Sequence, residues 1–411
     1  MLNIWFPLMS DRSDKSNESN DEILNPASCI PNTTMRVFIL TGEPSGDLHG
    51  ARLAEALYAL EPAMTIMGAG GVRMREAGVR IVADSEHWGA IGIPEALRKI
   101  PLFLTQLLRL THLLRDDPPD VLVPIDFGAF NVALLKRLGA HRPRTVYFIP
   151  PGCWSRHRAP GQLPYLVEGI ATPFPWSAEN LRAANAPARI EWVGHPILEY
   201  TQDTTSREDA RRRLNIDASR PVIALAPGSR RSELRYLLPV FIETLKHISP
   251  APQVLLTVAP NLEAQAIRSR LPAELSVHCL RGIAYHLIQA ADAALVASGT
   301  ATLELACLNI PMVVAYRGSF TTWLQYCIVA RGGRLRYISL PNILADQSVV
   351  PELLQHAAHP EALAAQLIPL LTDTPARRAQ LEGFAHIRTM LGEGQAIART
   401  AELVMKVGKQ T

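Results

Sequence analysis

The chain has few cysteines, and their spacing points neither to a disulfide framework nor to a metal site. There are five, an odd number, and none has the Cys-x-x-Cys or Cys/His spacing of zinc sites. Long apolar runs are lacking too. No run reaches the roughly 20 residues that a membrane-spanning helix needs, and the start lacks the basic-then-apolar pattern of a signal peptide. We expect a reducing compartment, no spanning helix and no secretion.

An excess of charge of one sign is also absent. The formal net charge is +3, with 41 basic and 38 acidic residues spread along the chain. Nucleic-acid-binding proteins concentrate positive charge on one face, so we predict no nucleic-acid partner. With 411 residues, of which 48% are hydrophobic, the chain can fill two globular cores.

The sequence divides into regions of different composition. Residues 1–34 contain the polar stretch DRSDKSNESNDE and little to bury, which predicts a disordered tail or a spurious extension ahead of Met35. Short apolar runs, small-residue turns and helix-like stretches then alternate, as in α/β folds with parallel sheets. A polar stretch interrupts this pattern. We predict an N-terminal domain at 35–200, a C-terminal domain at 201–385 and a last helix at 386–411 that packs back on the first domain.

In the first domain, two strand ends carry carboxylates. The turn GEPSGD, residues 42–47, places Glu43 and Asp47 at a helix N-terminus, and it is not the GxGxxG fingerprint. The buried strand VLVPID ends at Asp126. Ligands bind at this edge of open α/β sheets, where a partly buried carboxylate can act as a general base. For all three residues, helix capping is the alternative interpretation.

Two strand ends in the second domain resemble anion sites. Arg230 follows a Pro-Gly-Ser turn and can pair with a phosphate or diphosphate. Residues 298–300, Ser-Gly-Thr, open a helix whose backbone amides and dipole favour an anion. An ordinary capped crossover is the alternative here. In the first domain, Trp154 lies near Arg156, His157 and Arg158, which suits a sugar or phosphate but also occurs in loops without ligands.

The helix-like stretch at 95–115 has a wider apolar surface than one core face needs. Basic residues lie among its apolar ones: Arg98, Lys99, Arg109 and Arg115. One stripe contains Leu97, Ile100, Leu104, Leu107, Leu108 and Leu114, and Phe103, Leu110 and Leu113 lie off it. The stretch is therefore either a patch that dips into an anionic membrane surface or a helix buried on two sides.

Seven motifs, taken in order, resemble those of the lipid-A-disaccharide synthases. They are GEPSGDLHGA (42–51), IGIPEAL (91–97), PIDFGAFN (124–131), VGHP (193–196), APGSRRSE (226–233), SGTATLE (298–304) and SLPN (339–342). The resemblance spans residues 35–400. It implies an α/β chain of the GT-B class, in which two Rossmann-like doubly wound domains face a cleft.

The resemblance implies an inverting transfer of a 2,3-diacylglucosaminyl group from UDP to 2,3-diacylglucosamine 1-phosphate. The products are a β(1→6) disaccharide and UDP, formed without a metal ion or other cofactor. Because both substrates carry acyl chains, membrane contact is expected, at the cytoplasmic face of the inner membrane. The apolar run Phe320–Tyr337 is expected to contribute to it. Whether the chain forms a homodimer is left open.

The resemblance also implies roles for single residues. Asp126 is the base for the attacking 6-hydroxyl, and Glu43 and Asp47 complete the catalytic set. The diphosphate is held by Gly228, Ser229, Arg230, Ser298, Gly299 and Thr300. Glu304 holds the ribose, and Asn342 lies near the donor. The other substrate-binding residues are Ser45, Gly46, Asn131 and Trp154.

The chain departs from the family pattern on the acceptor side. An IDAPDFN-like block has Gly128-Ala129 in place of its second acidic residue, and a WAW-like block reads Trp154-Ser155-Arg156. Two alternatives therefore stay open. One is another GT-B enzyme that uses a UDP-N-acetylhexosamine, and the other is a catalytically silent UDP-sugar or lipid-binding module.

Overall fold

The computed structural model describes most of the chain after residue 33. The described residues are 34–85, 88, 93–157, 159–202, 204–259, 262, 264–273, 275–282, 284–318 and 336–409. The predictions for 1–34, Arg158 and most of the run Phe320–Tyr337 therefore lie outside them. Of the motif at 91–97, only the helical backbone from Ile93 is described.

The N-terminal part forms a seven-stranded parallel sheet in the order β3-β2-β1-β4-β5-β6-β7. Its strands are β1 (Arg36–Leu40), β2 (Thr65–Gly70), β3 (Arg80–Asp84), β4 (Val121–Pro124), β5 (Arg144–Phe148), β6 (Gly169–Thr172) and β7 (Arg189–Trp192). Its helices are α1 (Pro44–Leu60), α2 (Val72–Glu76), α3 (Ile93–Asp116), α4 (Gly128–Leu138) and α5 (Pro175–Arg182). The chain reverses its direction across the sheet between β1 and β4, where doubly wound folds bind ligands.

The C-terminal part repeats this plan with six parallel strands in the order β10-β9-β8-β11-β12-β13. The strands are β8 (Val222–Ala226), β9 (Gln253–Val258), β10 (Val277–Arg281), β11 (Ala293–Ala297), β12 (Met312–Tyr316) and β13 (Glu352–Leu354). Before them come helices α6 (Ile197–Gln202) and α7 (Arg207–Arg213). The later helices are α8 (Arg231–Leu245), α9 (Ala264–Arg268), α10 (Tyr285–Ile288), α11 (Thr300–Cys307), α12 (Leu340–Ala345), α13 (Pro360–Leu367), α14 (Pro375–Met390) and α15 (Ala396–Gly408).

The central strands are buried on both faces, as parallel sheets covered by helices require. On β1, Val37 and Ile39 join one apolar cluster, while Phe38 and Leu40 join another on the opposite face. Successive side chains of a strand point to opposite faces, so short apolar runs fill two layers at once. The predicted α/β class with two doubly wound sheets is confirmed.

The chain passes between the two sheets twice, and the two crossings touch. Gly194 and Gly392 both have positive φ, +87° and +94°, and a Cβ on Gly392 would lie 3.1 Å from the Gly194 Cα. The backbone amide of His195 donates to the Leu391 carbonyl at 2.7 Å. After the second crossing, α15 packs against α1 and the strands β4, β5 and β6.

Helix α3 is buried on one face only. Leu110 and Leu114 are fully buried, whereas Ile100, Leu104 and Leu108 are 43%, 53% and 43% exposed. The alternative of burial on two sides is therefore wrong for the part of α3 whose side chains are described. Within the described residues, no helix combines the length and apolarity needed to cross a membrane.

Candidate active site

The predicted site residues lie in loops that follow the carboxyl ends of strands. In the first domain these loops follow β1 and β4, which are paired neighbours. In the second they follow β8 and β11, which are also paired, with Ala226 in register with Val296. The loop that carries Arg230 and the loop at 298–300 are therefore adjacent at one sheet edge.

Asp126 adopts an unusual backbone conformation that its neighbours hold in place. Its φ is +46°, in the left-handed region that a residue with a side chain rarely occupies. Its carbonyl accepts hydrogen bonds from the Asn131 side-chain amide at 2.8 Å and from the Tyr147 hydroxyl at 2.5 Å. Its own amide donates to the Phe148 carbonyl at 3.0 Å. These contacts aim the carboxylate.

Asn131 stays a predicted substrate-binding residue, and its side chain contacts the backbone of Asp126. The residue is fully buried, and its amide nitrogen is used on the Asp126 carbonyl. Tyr147 shares this task, and the sequence did not single it out because it is one apolar-looking position in a buried strand. The Asn131 side chain therefore positions Asp126.

Three candidate residues from the two domains, Glu43, Asp126 and Arg230, interact electrostatically. Burial and the negative charge of Glu43 raise the pKa of Asp126 to about 6. Burial also raises the pKa of Glu43, and the positive charge of Arg230 opposes that rise. Glu43 thus interacts electrostatically with Asp126, in its own domain, and with Arg230, in the other domain.

Asp47 caps a helix, so its contacts are structural. Its carboxylate accepts hydrogen bonds from the backbone amides of Gly71 at 2.6 Å, Arg73 at 3.0 Å and Met74 at 3.2 Å. Both oxygens are occupied at the start of α2, and the catalytic role of Asp47 stays a prediction. Its neighbour Gly46 is buried against the Thr41 side chain, and Ser45 is half-buried in the same turn.

Arg230 begins α8 and pairs with Glu233, its partner in a capping box. The guanidinium donates to the Glu233 carboxylate at 3.1 Å, and the same carboxylate accepts from the amides of Ser229 at 2.9 Å and Arg230 at 3.2 Å. Gly228 has a φ of +110°, and an added Cβ would overlap Glu233. The loop is therefore built before any ligand arrives.

The loop at 298–300 opens α11 and is exposed at its tip. Gly299 and Thr300 are exposed, and an added Cβ on Gly299 would meet nothing within 4 Å. Among the described residues, no side chain caps the start of this helix, so its first backbone amides are left without a side-chain acceptor. The Ser298 hydroxyl donates to the Ile338 carbonyl at 2.7 Å, which ties this loop to the segment before α12.

Glu304 lies one turn into α11 and is half-buried. It accepts a hydrogen bond from the Tyr285 hydroxyl at 3.1 Å. Burial raises its pKa to about 7, and the Tyr285 hydrogen bond and the charge of Arg73 oppose that rise. A carboxylate here can accept hydrogen bonds from the hydroxyls of a ligand held at the α11 N-terminus.

Asn342 is buried and its side chain hydrogen-bonds within the protein, while its place near the donor stays a prediction. Its amide nitrogen donates to the Val350 carbonyl at 2.9 Å and to Glu352 at 2.8 Å. Its oxygen accepts from the amides of Val349 at 2.7 Å and Val350 at 2.9 Å. Asn342 therefore fixes α12 to the segment that leads into β13.

The loop after β5 ties the domains together. Arg156 donates to the Leu344 carbonyl at 2.8 Å and lies 4.2 Å from the centroid of the Trp176 ring. Its guanidinium is thus committed to an interdomain contact rather than free for a phosphate. Trp154 is 37% exposed and stays a candidate for substrate contact. Among the described residues, no three His, Cys, Asp or Glu side chains cluster as a metal site.

Comparison with known proteins identifies the family. The family model described as lipid-A-disaccharide synthetase matches residues 37–406. The chain belongs to this family. Among relatives, the lipid-A-disaccharide synthase of Anaeromyxobacter dehalogenans is 37% identical over 383 residues, which cover 92% of this chain and 98% of the relative. That of Geobacter sulfurreducens is 34% identical over 385 residues, covering 92% and 99%.

Solved structures share the fold at low sequence identity. The glycosyltransferase of kitacinnamycin has a TM-score of 0.58 at 14% identity, covering 91% of this chain and 99% of its own. CalG4, the calicheamicin glycosyltransferase, has a TM-score of 0.57 at 13% identity, covering 92% and 99%. These likenesses confirm the GT-B class. With the family membership, they make the chain a glycosyltransferase of lipid A synthesis.

Proposed function

We propose that the chain transfers a 2,3-diacylglucosaminyl group from UDP to the 6-hydroxyl of 2,3-diacylglucosamine 1-phosphate. The products are UDP and the β(1→6) disaccharide. The observation that carries the proposal is that Arg230 and the loop at 298–300 follow the paired strands β8 and β11 at one sheet edge. Besides burial, the charge of Glu43 raises the pKa of Asp126, and the charge of Arg230 opposes the rise in the pKa of Glu43, which supports a placement of the three residues near one another.

The donor is held by the C-terminal domain. Arg230 and the exposed amides at the start of α11 bind the diphosphate, because the negative charge that grows on departing UDP needs fixed donors. Gly228 and Ser229 line one side of this diphosphate site. The other side is lined by Ser298, Gly299 and Thr300. Glu304 accepts hydrogen bonds from the ribose hydroxyls.

Asp126 removes the proton from the acceptor hydroxyl. A base works best when its pKa lies near the working pH, and a pKa of about 6 leaves Asp126 ionised yet basic at neutrality. Glu43 keeps that pKa raised and pairs electrostatically with Arg230. The turn at Ser45 and Gly46, together with Trp154, lines the acceptor side.

Acyl-chain substrates bring the enzyme to the cytoplasmic face of the inner membrane, and the exposed face of α3 is the contact we propose. Ile100, Leu104 and Leu108 recur at helical spacing on this face, and Lys99 and Arg109 flank them. An amphipathic helix of this kind lies in the membrane interface, and its cations favour anionic lipids.

The reaction is tested with purified protein, the diacyl donor and the diacyl acceptor, with products identified by mass spectrometry. We expect the disaccharide and UDP in equal amounts, and no product from Asp126→Ala, which should still bind UDP. Equal turnover of unacylated UDP-N-acetylglucosamine would instead favour another UDP-N-acetylhexosamine enzyme. UDP binding without turnover would indicate a silent binding module. Light scattering on the same sample distinguishes monomer from homodimer.

Membrane contact is tested by cosedimentation with vesicles that contain anionic lipid. The double variant Leu104→Ser and Leu108→Ser should lose binding. A matched control changes Leu60 and Ile368 to Ser, because these side chains are 52% and 44% exposed and lie on other elements. Equal binding of both variants would exclude the α3 surface.

A further inference from the structure

Arg73 projects from the N-terminal domain and is positioned by the GEPSGD turn. It is the second residue of α2, and its backbone amide is one of the three that donate to the Asp47 carboxylate. A carboxylate at a helix N-terminus fixes the first turn and interacts favourably with the helix dipole. Asp47 therefore sets the place from which the Arg73 side chain extends.

The guanidinium of Arg73 reaches the C-terminal domain. A Cβ added to Gly282, just after β10, would lie 3.6 Å from its Nη2 atom. Its charge also opposes the rise in pKa of Glu304 and of Tyr285. The side chain is thus near the Tyr285–Glu304 hydrogen bond, although it belongs to the opposite domain.

The Arg73 guanidinium has hydrogen-bond donors that the described residues do not use. In the described part of the chain, the hydrogen bonds of Arg73 are made by its backbone, whereas its guanidinium makes no hydrogen bond and no ion pair within 4.0 Å. An arginine side chain carries five N–H donors in a fixed fork. A half-buried cation with unused donors, facing a cleft, is suited to oxygen atoms of a ligand.

We infer that Arg73 binds the nucleoside part of the UDP donor from across the cleft and that Asp47 is its positioning residue. The inference rests on the proposed function, because Glu304 marks the ribose end of the donor. Arg73 donates to ribose or uracil oxygens, while Glu304 accepts from the ribose hydroxyls. The nucleoside is then held by both domains, so donor binding brings them together.

The test separates the nucleoside from the diphosphate. Binding of UDP and of pyrophosphate is measured by calorimetry for wild type, Arg73→Met and Arg230→Met. Since hydrogen bonds to charged groups contribute about 1.5–3 kcal/mol, we expect Arg73→Met to weaken UDP binding about 10- to 100-fold, with pyrophosphate affinity unchanged within about twofold. Arg230→Met should weaken both. The matched control is Arg75→Met, because Arg75 lies on the same helix but pairs with Asp84 at 3.3 Å.

Kinetics and a double-mutant cycle test the positioning role of Asp47. Arg73→Met should raise the donor KM about 10-fold or more and leave kcat within about threefold. Asp47→Asn should weaken UDP binding in wild type but add little in the Arg73→Met background. Normal UDP affinity of Arg73→Met, or an equal loss of pyrophosphate, would overturn the inference while leaving the Arg230 site intact. Failure of wild type to bind UDP would overturn the proposed function as well.

Discussion

Asp126, the proposed base, is held in an unusual backbone conformation by two buried side chains. A left-handed conformation at a non-glycine residue costs on the order of 1–3 kcal/mol. The Tyr147 hydroxyl and the Asn131 amide offset that cost by bonding the Asp126 carbonyl. The strained backbone of Asp126 is thus held by buried groups.

Tyr147→Phe tests this support. Removal of the hydroxyl leaves the Asp126 carbonyl with only the Asn131 amide as a side-chain donor. The Asp126 carboxylate should therefore be held less firmly in its reactive position. We expect kcat to fall about 10-fold, since a small misplacement of a reacting group is costly, and the UDP affinity to stay unchanged. The free energy of unfolding should fall by about 1 kcal/mol. Unchanged kcat would show that the hydrogen bond serves stability alone.

Glu43→Gln tests the coupling of the two carboxylates through pH dependence. Only ionised Asp126 can accept a proton, so kcat should fall about 10-fold per pH unit below the pKa of about 6. The charge of Glu43 raises that pKa, so its removal should move the acidic limb to lower pH. The measurement is kcat against pH at saturating substrates. A limb that moves to higher pH would contradict the geometry.

At this scale, the sequence predicts which residues are candidates but not which way each side chain turns. Asp126, Arg230 and Glu304 were predicted because each follows a buried strand, and strand ends converge on the cleft. Asn131 and Asn342 lie in equally characteristic motifs, but their amides bond backbone groups. Only the folded chain shows which way such a side chain turns. Arg73 was not singled out, because the residues near its guanidinium, Gly282 and Glu304, lie more than 200 residues away along the chain.

Among the elements, the loops that contain Gly228 and Gly299 differ in whether they can accommodate a side chain at the glycine. Gly228 combines a φ of +110° with contact against Glu233, whereas Gly299 has extended backbone and open space around it. One glycine is required by the fold itself. The other leaves room beside the α11 amides for a ligand.

Gly228→Ala and Gly299→Ala form a matched pair that separates these reasons. Gly228→Ala should destabilise the protein by about 1–3 kcal/mol and also weaken UDP binding, because the capping box of α8 is displaced. Gly299→Ala should leave Tm unchanged yet weaken UDP binding, since the new methyl group occupies space that the diphosphate needs. Thermal unfolding and UDP calorimetry give both readings. Normal UDP binding by Gly299→Ala would exclude a close approach at that loop.

The elements themselves were largely predictable. Runs such as VIALA in β8 and AALVA in β11 are buried throughout, and only a central parallel strand accommodates such runs. The burial of α3 was not predictable, because its apolar residues outnumber those of a single core face. Which side of it stays uncovered depends on how α4 packs against it.

For the molecule as a whole, the region where the domains join contains two half-buried histidines. His49 of α1 accepts or donates a hydrogen bond at 2.7 Å with the Tyr200 hydroxyl of α6, and its ring centroid lies 6.5 Å from that of His195. Burial lowers the pKa of His49 to about 4 and that of His195 to about 3. Both rings are therefore neutral in the folded protein at neutral pH.

Lowering the pH should destabilise this region. Below pH 6.5, the ordinary histidine value, the unfolded chain binds protons that the folded one excludes, so stability falls with pH down to about pH 4. Buried carboxylates with raised pKa values act in the opposite sense, so the informative quantity is a difference between variants. We expect His49→Asn to lose less Tm than wild type between pH 7 and pH 4.5. An equal loss would mean that His49 does not contribute to the acid sensitivity.

Arg156 has a consequence for the working cycle. Its guanidinium, carried by an acceptor-side loop, is anchored on the Leu344 carbonyl of the opposite lobe. If the cleft widens to admit the proposed lipid substrates, this hydrogen bond must break, and it must form again when the cleft narrows. Each turnover would then include one breaking and one re-forming of the bond, and the rate of product release would depend on its strength.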